Sequence, residues 1–214
     1  MTSSKDSFEN RFLFVGNYLC LDFINTEMVE AVQPVDRLTG FDNLVAWLAQ
    51  SRTLDGKQAE AILGDWKNSR EARATLQDAV KLRASLREMA ERLVKEKTVP
   101  QSTVAAINQW LAHQTGHAEL KRARGRFEKH FQADFREPAQ LLWPVAESAA
   151  DLLCYADVSL VKKCENPSCV VFFYDTTKNH SRRWCSMSAC GNRMKVAAHY
   201  QRLRERDNKS TRNE

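Results

Sequence analysis

Four cysteines toward the C-terminus have the types and spacing that chemistry requires. Cys164 and Cys169 form one close pair and Cys185 and Cys190 a second, with four residues inside each pair and fifteen between the pairs. Each short loop turns back on itself, so the four thiols can converge on one tetrahedral ion, and the spacing reads as a structural zinc site. Four thiolates fill every position around zinc and leave none for water or substrate. The metal, one per chain, is therefore expected to hold the fold together and to perform no chemistry. The competing reading is two disulfides or four unlinked buried thiols, which a reducing cytosol disfavours.

Short elements must hold these pairs in place. Ser159–Lys163 reads as a strand leading into the first pair, Val170–Tyr174 as a second strand, residues 175–179 as a turn and Ser181–Trp184 as a returning strand. Together they form a zinc-ribbon arrangement in which the ion replaces a core that so few residues cannot build. Phe172, Phe173 and Trp184 are expected to cover the site or seal it against the rest of the chain, with stacking on bases as the alternative. After Cys190 a helix is expected through about Arg206. At about 100° per residue, Lys195, His199, Arg202 and Arg206 share one stripe, and Val196, Tyr200 and Leu203 form a parallel stripe about 100° away that is expected to pack.

Charge follows the same division. Residues 162–214 carry 12 Lys/Arg against 5 Asp/Glu, a net +7, in a chain of net +5. A basic module of this kind meets polyanions, so Arg182, Arg183, Asn192, Arg193, Lys195, His199, Arg202 and Arg206 are the candidate nucleic-acid contacts. An acidic protein partner for the same face is the alternative.

The preceding residues read as helices. Phe41–Leu48, Asp55–Trp66, Ser69–Lys97, a stretch beginning at Pro100 and another beginning at Pro138 all have apolar residues at helical spacing, with Val80 in the stripe of the longest. Phe12–Asn17 reads as a short strand, Leu19–Ile24 as either strand or helix, and residues 117–131 as a hairpin around Gly125. The fold class is mainly α with a small β component: a helical domain at 1–158, a zinc-ribbon-like unit of short strands and one helix at 159–206, and a disordered tail at 207–214. Asp22 and Asn25 lie among apolar residues, where they either fix local backbone or meet a ligand. Cys20 and Cys154 read as small core residues. No nucleophile–base set, Gly-rich phosphate loop or open metal constellation appears, which argues against an enzyme. No leader and no apolar run of membrane length is visible, so a cytoplasmic location is expected.

Several of these stretches together resemble a known family. Cys164-x4-Cys169, Phe173-Tyr174-Asp175-Thr176-Thr177, Arg182-Arg183-Trp184-Cys185-Ser186-Met187 and Cys190-Gly191-Asn192-Arg193-x-Lys195 resemble the CGNR zinc finger. Gly16-Asn17-Tyr18-Leu19-Cys20-Leu21-Asp22-Phe23-Ile24-Asn25-Thr26 is similar to the opening motif of the ABATE domain that accompanies it in bacteria. The resemblance implies a bacterial transcription regulator whose N-terminal domain senses stress or binds a small effector and whose finger binds DNA. It carries the zinc-ligand role onto Cys164, Cys169, Cys185 and Cys190, and nucleic-acid contact onto Arg193 and Lys195. From the architecture, an apolar face left on the helical domain would support a homodimer.

Overall fold

The structure is a computed structural model that describes residues 12–30 and 33–210, with side chains as far as Glu205. Leu19–Ile24, the stretch open to either reading, forms the short buried helix α1. An antiparallel hairpin that the sequence reading lacks follows it, β1 (Glu27–Glu30) and β2 (Gln33–Asp36). Arg83 pins this hairpin to the helices. Its buried guanidinium donates to both carboxylate oxygens of Asp36, at 2.7 and 2.6 Å, and to the Thr26 hydroxyl.

The helices begin where their caps allow. Helix α2 (Phe41–Gln50) starts after Gly40 and buries Phe41, Leu44, Val45, Trp47 and Leu48. In α3 (Gly56–Trp66), Asp55 and Gln58 form a reciprocal capping box. Ser69 caps α4 (Arg70–Lys95), which packs against α1, α2 and α5 through Ala79, Leu82, Leu86, Met89 and Leu93. Val80 is not in that buried stripe: it is 40% exposed. Pro100 sits at the cap of α5 (Gln101–Leu111) rather than inside its first turn. A 3₁₀ turn at Pro138–Leu142 leads into α6 (Trp143–Tyr155), so Pro144 lies in the first turn of α6 and produces no kink.

Between α5 and α6 stand β3 (Gly116–Ala123) and β4 (Arg126–Ala133), paired antiparallel in the expected place. Arg124 and Gly125 connect them with φ of 49° and 82°, the left-handed pair that a two-residue hairpin turn requires. Phe131 packs on Trp143, and Leu120 and Phe127 are exposed.

The last two strands, β5 (Val161–Lys163) and β6 (Phe172–Tyr174), join the cysteine segment to the helices. Successive residues of a strand face opposite ways. Phe172 therefore enters the helical core with Val161, while Phe173 enters a second small core made of Cys164, Val171, Cys185 and Cys190. Leu13 and Val15 pack on that second core. Their segment, 12–17, forms no strand, because its alternating apolar residues face the cysteine unit and its backbone has no full partner strand; only Gly16 pairs, its carbonyl accepting from Tyr174 N–H at 2.8 Å. Ser181–Trp184 likewise forms no strand and meets the first knuckle through Glu165 N–H to the Arg183 carbonyl.

Helix α7 (Asn192–Ser210) closes the described chain and runs beyond the expected end near Arg206, through residues expected in a disordered tail; residues 211–214 lie outside the described residues. The stripe expected to pack does not. Val196, Tyr200 and Leu203 are 56%, 61% and 39% exposed, because α7 leans on the turn before it and, among the described residues, no other element covers them. Cys20 is buried as expected, whereas Cys154 is exposed on α6. No described helix is long and apolar enough to cross a membrane.

Candidate metal centre and basic helix

The first knuckle follows β5. Asn166 shapes it, its side-chain oxygen accepting from Ser168 N–H at 3.1 Å and its carbonyl from Cys169 N–H at 2.8 Å. In the second knuckle Ser186 caps a π-helical turn, Met187–Gly191, that delivers Cys190 to the start of α7. The four sulfur atoms lie within 4.8 Å of one another, and Cys169 Sγ is 3.9 Å from Cys185 Sγ. Tetrahedral zinc with bonds of about 2.3 Å places its sulfurs about 3.8 Å apart, so the donor set fits that ion in type, number and spacing. All six cysteines are free, and 3.9 Å is far from disulfide bonding.

N–H groups turn toward the sulfurs: Asn166 Nδ2 donates to Cys190 Sγ at 3.2 Å and Cys185 N–H to Cys164 Sγ at 3.4 Å, and the backbone of Asn166 and Val171 bonds to Cys164 and Cys169. Outer hydrogen bonds of this kind orient ligands and stabilise thiolate charge. Four thiols this close cannot all ionise unaided. The hydrogen bond from Cys185 draws the Cys169 thiol down to about 5, Cys185 itself is driven up, and burial pushes Cys164 up to about 11. A divalent cation is what would let all four act as thiolates.

Asp175, read from sequence as part of a turn and given no role, organises the loop between the knuckles. Its buried carboxylate accepts from Lys162 Nζ at 2.7 Å, from the Thr177 hydroxyl and N–H, and from Arg182 N–H at 2.9 Å. Burial alone would raise this carboxyl, but those donors outweigh it and hold the group well below the usual carboxylate range. The signal available in sequence was Asp-Thr-Thr at a turn, an Asx pattern.

Asp22 and Asn25 face the cysteine unit. Asn25 Nδ2 donates to the Phe172 carbonyl at 2.8 Å and its Oδ1 accepts from Phe172 N–H at 2.9 Å, so the amide pairs with one β6 residue as a strand would. Both functional ends of that side chain are occupied by backbone. Asp22 Oδ1 accepts from Gly16 N–H at 2.7 Å, and Asn17 Nδ2 donates to the Tyr174 carbonyl at 2.8 Å. Asp22 also borders a cleft of about 380 Å³ with Phe14, Asn17, Tyr18 and Arg52. Burial pushes its carboxyl up to about 6, partly offset by the Gly16 N–H and the Arg182 charge.

The candidate basic residues divide. Arg182 turns inward: it donates to the carbonyls of Trp184, Val15 and Cys185 and stacks over the Phe173 ring at 4.0 Å. That geometry binds the N-terminal segment to the knuckle and opposes the outward role expected for it. Arg183 is exposed, pairs with Glu165 at 2.6 Å and rests over the Trp184 ring at 5.0 Å. Asn192, Arg193, Lys195, His199 and Arg202 are all exposed on α7; Arg206 lies on the same helix, beyond the described side chains.

Fold and site together define a helical domain docked on a four-cysteine finger. The ABATE model, described as "Putative stress-induced transcription regulator", matches residues 17–156, and the chain belongs to that family. The CGNR zinc finger matches residues 161–203. No curated protein matches the chain significantly.

Proposed function

We propose that this chain is a DNA-binding transcription regulator. A single zinc ion, held by Cys164, Cys169, Cys185 and Cys190, would supply four coordinate bonds in place of a core and no catalysis. The supporting observation is α7: the second knuckle fixes its start, and described side chains from Lys195 to Glu205 are exposed. Arg183, Arg193, Lys195, His199, Arg202 and Arg206 are the contacts, with phosphates as their first targets and Asn192 or Arg193 available for base choice. Arg182 is left out because its guanidinium serves internal carbonyls.

The helical part at 1–158 serves as sensor and the unit at 159–206 as effector arm. Asp22 remains a candidate contact for a small ligand because it borders the cleft; Asn25, occupied on both ends, acts in docking. Neither matched family is described by a catalytic activity, and a non-enzymatic role agrees with that.

One observation favours a second reading. The uncovered Val196, Tyr200 and Leu203 suit a protein partner, either an adaptor target or a second copy.

Duplex DNA titrated across salt separates the two. Four to six phosphate contacts give a slope of log K against log salt of about −4 to −5. An Arg202→Ala/Arg206→Ala protein should bind more weakly on every sequence, with the slope reduced by about 2. Unchanged affinity would remove α7 from the interface, and no DNA binding even at low salt would turn the reading to the protein partner.

A further inference from the structure

Beside the second knuckle lies a cleft of about 530 Å³, bordered by Trp184, Met187, Arg183, Thr177, Ser181 and Ser186. Its volume falls within the roughly 300–1,000 Å³ of small-molecule sites. Among the aromatic residues of β6 and the second knuckle, Phe172 and Phe173 are 1% and 0% exposed and spent on the two cores. Trp184 differs: it is only half-buried, and its edge packs where a Cβ on Gly191 would meet it at 3.4 Å. Met187 is 49% exposed, an uncovered polarisable side chain at the same place.

The rim is polar and fixed. Thr177 donates to Asp175 at 2.6 Å, Ser181 to Asn179 at 2.8 Å, and Ser186 is bonded to Ser188 at 2.7 Å, so each hydroxyl is held in place. Arg183 lies over the Trp184 ring and faces solvent, which puts a cation at the mouth of an otherwise apolar slot. A cleft lined by an indole and a thioether, with fixed hydroxyls and an exposed guanidinium paired to Glu165, on a segment of net +7, matches a heteroaromatic ring carried on a phosphate backbone.

We infer that the Trp184–Met187 cleft takes an unpaired nucleobase, so that the finger favours single-stranded or locally melted DNA over relaxed duplex. A paired base keeps its faces stacked on its neighbours and cannot enter such a slot; an unpaired one can lie against the indole. This rests on the nucleic-acid reading above and adds to it a base contact that phosphates cannot supply.

The test uses the full-length zinc-loaded chain and two labelled ten-residue probes of equal charge, oligo-dT and the same backbone with abasic residues, at one salt concentration. The oligo-dT probe should bind about tenfold tighter, the effect of stacking a base on one aromatic side chain. Trp184→Ala should bring oligo-dT down to the abasic level and leave abasic binding unchanged, while Trp184→Phe keeps most of the preference. Should Trp184→Ala fail to retain zinc, the wild-type comparison of probes and the Trp184→Phe protein decide the matter. Equal binding of both probes by the wild type overturns the base contact and leaves phosphate binding standing; binding of neither overturns both.

Discussion

Asn25 does the work of a strand with one side chain. Removing it leaves the N–H and C=O of Phe172 buried without partners, at roughly 1–3 kcal/mol for each group. Asn25→Ala should therefore lower unfolding free energy by about 2–4 kcal/mol in urea titration, with the effect read equally by helix content and by tryptophan fluorescence. Asp22 makes a prediction with pH. Its folded value of about 6 lies above the unfolded 3.8, so its contribution to stability is fully present below pH 4 and is lost as pH rises through 6. Asp22→Asn keeps an oxygen for Gly16 N–H and cannot ionise. Relative to wild type, that variant should gain about 2–3 kcal/mol between pH 4 and pH 7 in thermal or urea melts; a constant difference across that range would show that Asp22 does not titrate as described. Both residues stood out in sequence as polar groups among apolar neighbours. Their partners did not, because both bind backbone, Asp22 the N–H of Gly16 and Asn25 a strand residue 147 positions away, and backbone carries no sequence signature.

Elements were legible where local rules decide them. The helices α2 to α6 carry 3.6-residue periodicity, α3 and α4 add side-chain caps at Asp55 and Ser69, and the β3–β4 hairpin carries a Gly in its turn, so each was readable without its neighbours. Three stretches depended on what they meet. Leu13 and Val15 alternate like a strand because they line one face of the finger, β1–β2 hides behind Pro34 and its charges, and the α7 stripe suggested packing that no neighbour provides. The exposed hairpin offers its own check. Gly116 has φ of +143°, and a Cβ there would sit 2.1 Å from the Gln132 carbonyl oxygen, an atom held by the ladder. Gly116→Ala should cost about 2 kcal/mol or more and open the β3–β4 end, read as faster amide exchange at residues 117–133.

At the scale of the molecule, the helical core and the cysteine core are joined through β6 and by side chains that bond across between them. Val161 and Phe172 belong to the helical core, Leu13 and Val15 to the finger's, and Asn17, Asn25 and Arg182 bond across between them. The finger is therefore expected to unfold with the helices and not as an independent module. Removing the metal should lower the single melting transition of the whole chain, including the signal of Trp47, which is 0% exposed in the helical core, read in a protein whose other tryptophans are replaced by Phe. An unchanged helical transition with a separately melted finger would break that coupling.

On the proposed function, the second knuckle sets the start of α7, so the ion is expected to be a condition of DNA binding. The most direct measurement is zinc content and duplex-DNA affinity on one purified sample, titrated with salt before and after chelation. The expected result is one zinc per chain and a slope of about −4 to −5 that disappears with the metal. A zinc-loaded chain with no salt-dependent DNA affinity, or one whose DNA affinity survives chelation, would contradict it.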